Sequence, residues 1–197
     1  MRMTALLFTL TLGLSLVSQT PAAKPTTQPA GAPAAEPTIG GAIDGTFQWV
    51  PAQFISAAEA MPEDKYDWAP TQGEFKEART FAQQIKHVAA VNYFVGDTIL
   101  GEKPPVEVGD PEKGPASLKT KAEIMAYLRG SFDYARKAVQ SITAKNGTKS
   151  LKSPFGQGTT TPLGMATLLA FHGMDHYGQM VIYLRSNGII PPASRKK

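Results

Sequence analysis

Between Thr161 and Gly188 the sequence leaves the backbone little choice. Thr161 is an N-cap residue, Pro162 fills a first helical position that needs no N–H, and Gly188 after Asn187 offers a left-handed stop. Pro191-Pro192 bar any continuation. Within these limits Met165, Leu168 or Leu169, His172, His176, Met180 and Tyr183 recur at helical spacing. One face of this helix is therefore apolar, and it must be covered by other elements.

Three further helical segments supply the cover. The first is expected from about Phe47 to Met61, with Phe47, Val50 and Phe54 on one face, Pro51 in its first turn and Pro62 as its stop. A connector with two large aromatics, Tyr66 and Trp68, follows and should pack on the helices. The second helix is expected from near Glu74 to Leu100-Gly101, with Phe75, Ala78, Ile85, Val88, Asn92 and Val95 at helical spacing. The third begins at the capping box Thr120-Lys121-Ala122-Glu123 and runs to about Thr143. The segments 101–118 and 146–160 carry proline, glycine and polar residues without periodicity and read as loops. Strand signals are sparse, so the fold class is all-α, a four-helix bundle.

The residues ahead of this domain have a different character. Arg2 precedes an apolar run from Ala5 to Val17, and small residues follow. This is the layout of a secretory signal over residues 1–23, with a retained N-terminal anchor as the alternative. Prolines recur every four residues from Pro21 to Pro37 among Ala, Thr and Gly, which marks 24–44 as a disordered, extended linker. The expected domain is 45–192, the tail 193–197 is basic, and the location is periplasmic or secreted. A formal net charge of +4 over 197 residues is too mild to imply nucleic acid. Cysteine is absent, which excludes disulfides, thiolate catalysis and cysteine zinc sites. Phe155-Gly156-Gln157-Gly158 lacks the rest of a phosphate loop and reads as a turn, and Asn146-Gly147-Thr148 matches a glycosylation acceptor only formally.

The sequence holds three histidines, all within expected helices. His172 and His176, four apart, project from the buried face of the last helix. Imidazoles in an apolar core need partners, and a divalent metal supplies one to both. His87 on the second helix is the remaining histidine, and three histidines with an open position suit a catalytic zinc. The competing reading is a set of core histidines satisfied by backbone carbonyls or a tyrosine. Asp97 and Asp175 are alternative ligands, although Asp175 lies roughly 100° around the helix from His176 and suits an outer position better.

The run from His172 to Met180, followed by Tyr183 to Pro192, resembles the C-terminal signature of DinB-like proteins. Tyr66-Asp67-Trp68-Ala69-Pro70-Thr71, Arg79-Thr80-Phe81 and His87 to Asn92 resemble earlier motifs of the same family. The resemblance spans Phe47 to Pro192 and implies a metal on His87, His172 and His176, often in a homodimer. Zinc is the leading ion, with nickel, iron or manganese as alternatives. The chain departs from the usual member in its export signal and in the long loop 101–118, which borders the mouth of the site. The resemblance implies a metal-dependent hydrolase or transferase acting on a small molecule, with water activation preferred over thiol transfer in an exported protein. The alternative is a non-catalytic metal- or ligand-binding envelope protein. No glutamate stands beside the paired histidines as in a zinc-protease helix, and Asn92 and Tyr183 are the candidates for orienting substrate or water.

Overall fold

A computed structural model describes residues 38–71 and 77–196. The expected signal and most of the expected linker fall outside these residues, as does Phe75. Five helices make four arms: α1 (Ile39–Phe47) and α2 (Trp49–Ala60) form the first, then α3 (Phe81–Leu100), α4 (Lys121–Gln140) and α5 (Pro162–Ser186). Helix α3 packs against α4 and α5, and α2 packs against the same two helices from the other side. Thus α2 and α3 occupy opposite corners of the bundle, and α3 is buried nearly all round. Among the described residues, no helix is long and apolar enough to cross a membrane.

The first arm corrects the sequence reading. Ordered helix begins at Ile39, inside the stretch assigned to linker, and Thr38 caps it by accepting from the Gly41 N–H at 3.0 Å. Gly40 looks like a linker glycine in sequence, yet it serves close packing. A Cβ there would stand 2.7 Å from the main-chain carbonyl oxygens of Val139 and Gln140, and the Gly40 N–H donates to the Ile142 carbonyl at 2.9 Å. The break at Gln48 follows from Pro51, whose missing N–H cannot bond the Phe47 carbonyl and whose ring crowds it.

Asp44 locks this arm to α4. Its buried carboxylate accepts from Arg136 Nε at 2.8 Å, from Arg136 Nη2 at 2.9 Å and from Gln140 Nε2 at 2.8 Å. The Arg136 hydrogen bonds hold its pKa below the usual carboxylate range, against the opposing effect of burial. Because the folded value lies below the unfolded one, the pair stabilises fully above about pH 5. That contribution is lost as pH falls through the folded value. Asp44→Asn is therefore less stable than wild type at pH 7, and the gap between their melting curves narrows towards pH 3. An equal gap at both values would remove the charge from the account.

The core is led by aromatic and aliphatic side chains. Phe54 is fully buried and meets Phe132 edge-on at 5.9 Å between ring centroids. The connector aromatics pack as expected: Tyr66 donates to the Ala58 carbonyl at 3.0 Å and Trp68 stands edge-on to Tyr183 at 5.1 Å. Helix α3 starts later than expected, at Phe81, because Thr80 and Gln83 form a reciprocal capping box. Residues 78–80, expected within the helix, are not helical. The segment 146–160 contains a small antiparallel hairpin, β1 (Leu151–Lys152) paired with β2 (Thr159–Thr160). Phe155 to Gly158 is its turn, as expected, with Gly156 and Gly158 at φ of 123° and 109°. Asn146 spends its side chain on the turn after α4, accepting from the Thr143 N–H at 2.6 Å and donating to the Ser141 carbonyl at 3.0 Å. The tail opens with a 3-10 turn, Pro192–Ser194, packed on α2.

Candidate metal centre

Helix α5 forms as expected. Thr161 accepts from the Gly164 N–H at 3.1 Å, Pro162 is the first helical residue and Gly188 has φ 73°. His172 and His176 therefore face α3 one turn apart, and His87 meets them from α3. Ring centroids lie 4.5 Å apart for His172 and His176, 4.8 Å for His87 and His176, and 5.1 Å for His87 and His172. One nitrogen from each ring lies within 4.8 Å of the others, and all three rings are buried or partly buried. Among the described residues no carboxylate belongs to this cluster, and Asp97 and Asp175 both stand outside it.

The outer partners fix which nitrogens face inward. His87 Nδ1 donates to the Pro111 carbonyl at 2.7 Å, which leaves its Nε2 as a lone pair turned to the cluster. His176 Nδ1 donates to Gln84 Oε1 at 2.8 Å, with the same result. The chain continues outward from Gln84 Nε2 to Gln179 Oε1 at 2.7 Å, and from Gln179 Nε2 to Asp175 Oδ2 at 3.0 Å. Asp175 thus takes the outer role expected of it, two glutamines removed. His172 Nδ1 is buried without a partner.

Burial is the main force on all three rings; repulsion from neighbouring histidines adds to it at His172 and His176, while at His87 the hydrogen bond to Pro111 opposes it. His172 is driven down to about 3 and His176 to about 4, with His87 also lowered. The cluster is neutral near pH 7, which is the form that binds metal. His87 Nε2 and His172 Nε2 stand 3.1 Å apart. Two nitrogens on one tetrahedral zinc at about 2.0–2.1 Å lie about 3.3 Å apart, so the spacing fits a shared ion. The three histidines can hold one divalent ion.

The loop 101–118 reaches the site by turn chemistry. Asp110 Oδ1 accepts from the N–H groups of Glu112 and Lys113 at 2.8 and 2.9 Å, and the Gly114 N–H closes on the Asp110 carbonyl at 2.7 Å. The turn aims the Pro111 carbonyl at His87. Glu112 then pairs with Arg79, and Lys86 Nζ holds the Pro115 carbonyl at 3.2 Å. Tyr127 donates to the Val108 carbonyl at 2.8 Å. The sequence named this loop as a border of the site but gave no sign that its backbone orients His87.

The two candidate orienting residues are directed elsewhere. Asn92 is buried between α3 and α4, donating to Ser131 Oγ at 3.2 Å, with its Oδ1 unpartnered. Tyr183 donates to the Arg79 carbonyl at 2.9 Å and lines a hollow of about 1060 Å³ that includes Gln84 and Gln179 but none of the histidines. Gln84 is the polar residue the sequence reading missed. Its position three before His87 on the same helix was the available signal. Gln84→Ala frees the His176 ring to rotate and lowers zinc affinity about 10–100-fold, measurable by competition with a chromophoric chelator. Unchanged affinity would reduce the glutamine to packing.

A helical bundle with a neutral three-histidine cluster between two of its arms defines the class. The DinB superfamily profile matches residues 46–180, and the chain belongs to that superfamily. The fold is similar to that of a DinB-like protein from Bacillus cereus, with TM-score 0.61 and 18% identity over 79% of this chain and 96% of the other. A DinB-like protein from Bacillus subtilis is similar at TM-score 0.57 and 15% identity, over 79% of this chain and 99% of the other. None of the curated proteins matches the sequence.

Proposed function

We propose that this chain binds one divalent ion, zinc foremost, on His87, His172 and His176, and is a metal-dependent hydrolase of a small molecule. The observation that carries the proposal is the convergence of three neutral imidazoles beside a cavity of about 560 Å³, which His87 and His172 both line. When bound, the ion supplies Lewis acidity at a position that three histidines leave open. The chain's own residues do the rest. Pro111 and Gln84 hold two imidazoles in the ligand tautomer, and burial keeps all three unprotonated. The apolar walls of the cavity, Val91, Phe94 and Leu168, favour an apolar part of the substrate beside the histidines. Export remains part of the same proposal and is the reason water is preferred to a cytosolic thiol as co-reactant.

One observation favours the non-catalytic reading. Among the described residues Glu112 is the only carboxylate lining the cavity, and it is paired with Arg79. The test is a screen of ester, amide and phosphoester substrates after loading with zinc, nickel, manganese or iron, with His87→Ala as control. Turnover that a chelator removes and His87→Ala lacks supports the hydrolase. Bound metal without chelator-sensitive turnover supports a binding protein.

A further inference from the structure

The cavity before the histidines is walled by two helices and two loops. Val91 and Phe94 come from α3, Leu168 from α5, Pro111 from the loop 101–118, and Pro154 and Phe155 from the β1–β2 turn. Among the described residues, no polar side chain besides the histidines and the paired Glu112 lines it. An apolar space of about 560 Å³ is the size of a small-molecule site rather than of a peptide groove. Phe155 is the unusual member, because about half of its surface is exposed. It sits on a turn that Gly156 and Gly158 bend through positive φ, with the Ser153 N–H closing on the Gly158 carbonyl at 3.1 Å. The hairpin leads directly through Thr161 into α5, so this ring is carried on the turn just ahead of the helix that bears His172 and His176.

We propose that the site takes a small molecule with one metal-ligating head group and an apolar acyl or aryl tail, and that Phe155 determines how large a tail is accepted. The proposal rests on the metal reading above and adds to it a substrate class. A charged or sugar-like tail would leave its polar groups unpaired against Val91, Phe94 and Leu168. An apolar tail instead removes those walls and the Phe155 ring from water.

The experiment uses the full-length protein loaded with cobalt(II), whose visible absorption reports ligands entering the metal's coordination shell. Acetohydroxamate, octanohydroxamate and benzohydroxamate are the probes, since they share a head group and differ in the tail. Octanohydroxamate binds the wild type at least about tenfold more tightly than acetohydroxamate. In Phe155→Ala the ratio falls but stays above one, since the tail loses the ring and keeps Val91, Phe94 and Leu168. In Phe155→Trp, which narrows the cavity, octanohydroxamate and benzohydroxamate both bind less tightly, while Phe155→Leu keeps part of the wild-type ratio. A ratio near one in the wild type, with cobalt bound, overturns the apolar tail and leaves the metal reading standing. A large ratio that Phe155→Ala does not change overturns the role of Phe155. Failure to bind cobalt at all overturns both readings together.

Discussion

His176→Ala lowers zinc affinity by more than about 100-fold. Loss of an outer-shell partner alone costs about 10–100-fold in metal sites, and removing the ligand itself must exceed that. Of the three histidines, His176 has the longest hydrogen-bonded support, running through Gln84 and Gln179 to Asp175. Asp175 is exposed and accepts from Gln179, and among the described residues no carboxylate lies within the cluster. Competition against a chelator of known affinity, at pH 7 where the remaining imidazoles are neutral, measures the change. The fold survives the substitution, since the helix keeps Leu169, Met180 and Leu184 in the core. Circular dichroism of the variant separates lost affinity from lost structure. Retention of affinity within tenfold would mean that the ion, if bound, is held by other groups.

The largest effect on stability falls at Phe54. Its side chain is fully buried, edge-on to Phe132, on the arm that packs against both α4 and α5. Phe54→Ala removes the ring and leaves a cavity, at a cost of about 3–5 kcal/mol. That is a large share of the roughly 5–15 kcal/mol that holds a domain together. A protein of this size should melt about 10 °C lower for such a loss. Phe54→Leu keeps most of the volume and costs much less. Urea unfolding of both variants tests the ordering, and equal small losses would show that the site collapses or is less tightly packed than its burial indicates.

What could be read from the sequence depended on whether the controlling interaction was local. Helix α5 was readable end to end because Thr161, Pro162 and Gly188 act within a few residues of themselves. The histidine pair followed from one helix and one spacing, and His87 from there being a single remaining histidine. Helix α1 was misread because Gly40 meets the end of α4, a hundred residues away in the chain, so its glycines passed for linker. The start of α3 was misplaced because Ala78 kept the apolar rhythm across a boundary set by Thr80 and Gln83.

The same distinction explains the site. Asn92 shares a helix with His87 but lies five positions on, about 140° around the axis, and so faces α4. Tyr183 keeps the face of His176 but stands about 10 Å further along, where it reaches the Arg79 carbonyl. The Pro111 carbonyl and Gln84 carry no ligand signature of their own. A main-chain oxygen is the same in every residue, and only the folded loop shows which histidine it meets.

The central claim is that three imidazoles hold one ion, and metal content tests it most directly. The full-length protein is stripped with chelator, exposed in turn to zinc, nickel, manganese and iron, desalted and assayed by elemental analysis. The account predicts one zinc per chain for the wild type and almost none for His87→Ala, His172→Ala or His176→Ala. A wild-type protein that stays metal-free with every ion, or single-histidine variants that keep a full equivalent, would contradict it.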